Sequence, residues 1–195
     1  MTGSSDWRYG VARFLSHLFS PAAMAVWVFS GLVILRPGEA GWKALGTALF
    51  LFTLLPCAVM VLLRRRGLED VYDPEPFLRQ RILLMGTACY LAGFLVLAAM
   101  DAAPVMTWSA ASITVAAAAV RVVDRFWKIS IHSVGVAAGV FVLMTVGGAG
   151  LWPLLAAPPL AAWARLRLGA HTVAQVLAGI LLGALVPALL LPHFG

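Results

Sequence analysis

The sequence predicts an all-α fold, a polytopic transmembrane helical bundle of six or seven spans, and three observations predict it. Of the 195 residues 62% are apolar and 11% charged, whereas a soluble domain has roughly 45–50% and about 25%. Mean hydropathy is +0.95, more apolar surface than a single soluble core hides. The apolar residues fall in blocks near the roughly 20 residues that a helix needs to cross a bilayer, each bounded by Gly, Pro or charge.

The elements follow in order. Trp7–Ser20 carries Trp7, Tyr9, Phe14 and Phe19 with two arginines, the composition of a helix lying at the membrane interface. Ser20-Pro21 opens the first span, because Pro is tolerated where a helix's first N–H lacks a partner anyway. Spans are placed near 21–35, 43–63, 82–100, 105–121, 131–147, 150–164 and 171–191. Only Gly147-Gly148-Ala149-Gly150 separates the fifth from the sixth, which leaves six as the alternative count. The chain reads as one integral membrane domain over 1–195, with an interfacial segment at 1–20. Trp42, Trp108 and Trp152 read as interface belts, and Gly139, Gly147 and Gly179 as points of close helix packing. Cys57 and Cys89, both inside apolar blocks, read as free thiols.

Basic residues choose sides. With seven crossings, Arg8, Arg13, Arg64, Arg65, Arg66, Arg79, Arg81, Arg121, Arg125, Lys128, Arg165 and Arg167 share one side, against Arg36 and Lys43 on the other. The positive-inside rule makes the first side cytoplasmic, in a cell or inner membrane. The net charge of +6 is thereby explained by topology and anionic headgroups, and nucleic acid is set aside as a partner. Homo-oligomerisation stays open.

Ionisable groups at the ends of apolar helices are costly to desolvate, so a one-sided cluster marks a candidate site. Three stretches build one: Asp73 to Arg81, Lys128 to His132, and Arg165 to Gln175. Fixed cations and free amides at helix N-termini trap a phosphoryl group. Two histidines beside them, His132 and His171, supply a nucleophile and a proton donor, enough for phosphate-ester hydrolysis with neither metal nor cofactor. His171 and Gln175 lie four apart on one helical face, so the amide oxygen is in reach of an imidazole N–H. His17 and His193, lone histidines at helix ends, read as ordinary interfacial residues, and Arg64-Arg65-Arg66 as a topology anchor. Asp73 and Glu75 stand evenly between solvated loop charges and site residues.

At these residues the chain resembles the type 2 phosphatidic acid phosphatase, or lipid phosphate phosphatase, superfamily, over about 65–180. Arg165, Gly169 and His171 fit its third motif in residue and spacing, and Gly179 fits the small residue that closes it. Ser130 and His132 fit the second, with Ile129 and Ile131 in place of Pro and Gly. The first motif is degraded: Arg79 or Arg81 stands for its Arg, no Lys precedes at the family distance, and Lys128 is the candidate substitute cation. Lys-Ile-Ser-x-His and His-Thr-x-x-Gln are similar to a bacterial branch of the family.

The resemblance implies a lipid phosphatase-like core acting on a lipid phosphate substrate. His171 would form a phosphohistidine, and His132 would protonate the leaving alcohol and then activate water. Arg165, Lys128, Arg79 or Arg81 would clamp the phosphate, and Ser130 would add a hydrogen bond. Gln175 stands where the family has Asp; Asp73, Glu75 or Asp124 are candidates to supply the missing charge. A polyprenyl phosphate or diphosphate is the first expected substrate, phosphatidic acid or phosphatidylglycerol phosphate the next, with the tail entering sideways through a groove between helices. A lipid-linked phosphotransferase and a non-catalytic lipid-phosphate-binding protein are the alternatives from other classes.

Overall fold

The computed structural model describes residues 7–39, 41–65 and 76–194, and all regular structure among them is helical. The helices are α1 (Trp7–Leu18), α2 (Pro21–Leu35), α3 (Trp42–Leu49), α4 (Leu55–Arg65), α5 (Pro76–Ala99), α6 (Pro104–Val123), α7 (Ile131–Gly147), α8 (Ala157–Arg167) and α9 (Val173–Leu190). Four stretches are long and apolar enough to cross a membrane: Trp42–Leu63, Phe77–Ala99, Pro104–Val123 and Val173–His193. Trp7–Leu18 with Pro21–Leu35, bent by 53°, adds a fifth if counted as one span, and Ile131–Gly147 is apolar but shorter.

Proline explains two departures from uninterrupted spans. Between α3 and α4 lies a π turn, Phe50–Leu54. Pro56 has no N–H to offer the Phe52 carbonyl four residues back, and the register slips so that the Leu55 N–H reaches Phe50. The stretch near 150–164 is no single helix either. It is a 3-10 segment, Ala149–Ala156, with Pro153 inside, followed by the eleven residues of α8 with proline in its first turn. Each proline removes a donor that an unbroken α-helix requires.

Since lipid tails are as apolar as leucine, helices in a bilayer gain most from close approach. Gly179 and Gly183, one turn apart on α9, provide it against α7. A Cβ on Gly179 would lie 2.7 Å from the Ser130 carbonyl oxygen, and one on Gly183 would collide with the Val134 carbonyl. The other end of the bundle is filled by Phe29, Leu32, Phe52, Leu97 and Met106, all fully buried. Trp108 belongs there as well, which corrects its reading as an interface residue. It is 2% exposed and its indole N–H donates to the Pro187 carbonyl at 3.1 Å, tying α6 to α9. Trp42 and Trp152 are exposed, and both cysteines are free thiols.

Candidate functional site

The chain brings His171 beside Arg165 through the end of α8. Gly169 takes φ +66°, a left-handed conformation that costs an L side chain about 1–2 kcal/mol. This closes a Schellman turn in which the Ala170 N–H donates to the Arg165 carbonyl at 3.1 Å. Two residues later Thr172 caps α9. Its hydroxyl accepts from the Gln175 N–H at 3.4 Å, and the Gln175 side chain accepts from the Thr172 N–H at 3.0 Å, a reciprocal capping box.

That capping box decides the state of His171. The Thr172 N–H can only donate, so the Gln175 atom it meets is the amide oxygen. The same oxygen lies 3.2 Å from His171 Nδ1, so Nδ1 carries the proton and Nε2 keeps its lone pair. His171 precedes the helix. Burial and the Arg165 guanidinium push its imidazole down from 6.5 to about 4; the Gln175 bond opposes this, and Lys128 and Arg79 add to it. The ring is neutral at physiological pH.

His132 arrives from α7. Ser130 caps that helix, accepting from the Ser133 N–H and hydroxyl at 3.4 and 2.9 Å, which puts His132 in the first turn. The Ser130 N–H donates to the Gln175 carbonyl at 3.3 Å, and together with the Gly179 contact it holds the starts of α7 and α9 together. His132 interacts electrostatically with both Arg165 and His171, and its ring donates to the Ser16 backbone. The histidines therefore share one end of the bundle, each within electrostatic reach of Arg165.

The candidate cations separate on inspection. Arg165 is 8% exposed and donates from Nη1 to Ser16 Oγ at 2.9 Å. Arg79 binds Asp124 through Nε and Nη2 at 2.8–3.0 Å and also donates to the Ile129 carbonyl at 3.0 Å. Asp124 is thus committed to Arg79, the Gln80 amide and the Ile129 N–H rather than to His171. It shapes the α6–α7 loop that delivers Lys128 within electrostatic reach of His171. Arg81 is exposed, with its guanidinium 4.4 Å from the Phe77 ring centroid, so Arg79 is the arginine of α5 that faces the histidines. Ser130 is fully buried and occupied as a cap. Asp73 and Glu75 lie outside the described residues. Family models, curated proteins and solved structures yielded no match to this chain.

A cavity of about 480 Å³ opens from His132 between α2, α4, α5, α6 and α7. Its walls are mostly apolar, and its polar end is formed by Ser16, His17, Ser20 and His132. Ser16 escaped the sequence reading, and His17, read there as an interfacial residue, is exposed and also lines the cavity. No local motif marks Ser16, which meets Arg165 across 149 positions of chain. His171 and the three cations are not part of the cavity wall; His132, and Ser16 through its bond to Arg165, join the cavity to the charged cluster.

Proposed function

We propose that this chain is a membrane phosphatase that hydrolyses a lipid phosphate monoester, such as a polyprenyl phosphate, through a phosphohistidine. The observation that carries the reading is the Gln175 oxygen, held by the Thr172 N–H, which fixes His171 with a neutral Nε2 lone pair beside Arg165. Arg165, Lys128 and Arg79 would spread the charge of the phosphoryl group as it transfers. Nε2 attacks phosphorus and the ester P–O bond breaks. His132 would first have to take up a proton on the nitrogen that does not bond the Ser16 backbone; as the imidazolium it gives that proton to the leaving alcohol oxygen. It then takes a proton from water as that water displaces phosphate from His171, so the net change is ester plus water to alcohol plus phosphate.

The bundle would cross the membrane seven times, with the 3-10 segment and α8 together forming the return from the end of α7 to Arg165. At about 2.0 and 1.5 Å per residue those two pieces are long enough to cover the hydrocarbon. The site would face the cytoplasm, on the strength of the arginine-rich end.

The test is phosphate release in detergent from a panel of prenyl and glycerolipid phosphates, diphosphates included. His171→Ala is expected to lose about a thousandfold or more, as removal of a nucleophile does. Equal rates for wild type and variant would remove the phosphatase reading.

A further inference from the structure

We infer that Ser16 is a positioning residue of the site: its hydroxyl holds Arg165, and its carbonyl, released by the break between α1 and α2, fixes the ring of His132. That the two side chains so held serve phosphoryl transfer rests on the function proposed above.

The break begins with Pro21, which has no N–H to give the His17 carbonyl four residues back. A proline also pushes the residue before it out of the helical region, and Ser20 is extended, at φ −66° and ψ 154°. The Ser20 N–H turns to the His17 carbonyl at 3.1 Å, a tightened last turn. In an unbroken helix that N–H would go to Ser16. The Ser16 carbonyl is thereby left for another donor, and the His132 ring supplies it. Ser16 is buried, so a carbonyl left unmet there would be costly.

Two contacts bring the break to the histidine. α1 packs along α8 with Ala12 and Ser16, one turn apart, buried, and Ser16 Oγ accepts from Arg165 Nη1 at 2.9 Å. α2 starts against α7: a Cβ on Gly135, three residues after His132, would meet the Pro21 Cα at 3.7 Å. One residue of α1 therefore ties a cation of α8 to a histidine of α7. The two bonds differ in consequence. A carbonyl only accepts, so the ring nitrogen facing Ser16 keeps its proton throughout and the opposite nitrogen alone exchanges one. The hydroxyl restrains a long, flexible guanidinium side chain, whose freedom would otherwise be lost on binding phosphate.

Two variants of the full chain, purified in detergent, separate these roles. Pro21→Ala restores an N–H for the His17 carbonyl, so the Ser20 N–H can return to Ser16 and compete with His132. Histidine-selective ¹⁵N NMR at mildly alkaline pH, where imidazole is neutral, should find one His132 tautomer in the wild type and a mixture in Pro21→Ala; His132→Gln assigns the signals. Phosphate release by Pro21→Ala should fall about tenfold in kcat with KM little changed, the loss of one hydrogen bond to a ring that becomes charged. Ser16→Ala keeps the carbonyl, so it should preserve the tautomer and raise KM about tenfold; Ser16→Thr, which retains a hydroxyl, should recover most of that. A wild-type His132 that mixes tautomers, or a single tautomer unchanged in Pro21→Ala, would overturn the role of the break, and the wild-type spectrum decides even if Pro21→Ala does not fold. An unchanged KM in Ser16→Ala would overturn the role of the hydroxyl. The tautomer needs no turnover: if it shifts as expected while no lipid releases phosphate, only the phosphatase reading falls.

Discussion

Gln175 performs two tasks with one oxygen: it closes the α9 capping box and holds His171 Nδ1–H. A carboxylate at this position would do both and add charge that stabilises imidazolium; the amide fixes the tautomer and leaves the ring poorly basic. His171 therefore needs to stay neutral in the folded chain. Between about 4 and its ordinary 6.5 the unfolded chain binds a proton that the folded chain refuses. The His171 contribution to stability is accordingly full above 6.5 and is lost as pH falls toward 4. Histidine-selective ¹⁵N NMR should find His171 as the Nδ1–H tautomer with a midpoint near 4. Gln175→Glu should raise that midpoint, because a carboxylate 3.2 Å away favours the charged ring. A midpoint of 6.5 in both proteins would show that neither burial nor the amide controls the ring.

At the scale of elements, the site exists because α7 and α9 touch backbone to backbone. Gly179→Val places carbon atoms where the Ser130 carbonyl and the Ser133 side chain already are, so the helix starts must part and His132 moves away from His171. Phosphate release should fall at least tenfold, and more than it does for Gly46→Ala, whose added carbon meets nothing within 4 Å; equal effects would mean that the α7–α9 contact does not set the geometry. This contact was partly legible. Gly179 and the Arg165-to-His171 spacing are local patterns, and so is the His171–Gln175 pair. The broken helices were not legible as such, because hydropathy reports how apolar a stretch is and not whether its hydrogen-bond register survives Pro56 or Pro153. Nor does sequence say that Asp124 would choose Arg79 over His171, since that choice needs α5 and α6 side by side.

At the scale of the molecule, one end of the bundle concentrates charge. Arg79, Arg121, Arg125, Lys128, Arg165 and Arg167 stand at helix ends near the histidines, while Arg36 and Lys43 mark the opposite end. Long basic side chains there keep their charge in water while their stems lie along the apolar helices. Basic residues also resist translocation during insertion, which is the physical basis of the proposed orientation. A lipid phosphate drawn to this end would meet cations before histidines, so under the proposed function the same charges would serve both to orient the bundle and to gather the substrate. Sidedness is therefore testable apart from chemistry. In a background with Cys57 and Cys89 replaced by serine, Lys43→Cys should react with a membrane-impermeant maleimide in intact cells, and Arg125→Cys only after permeabilisation. The opposite pattern would place the histidines on the outer face, and the arginine-rich end would then owe its charge to phosphate binding rather than to topology.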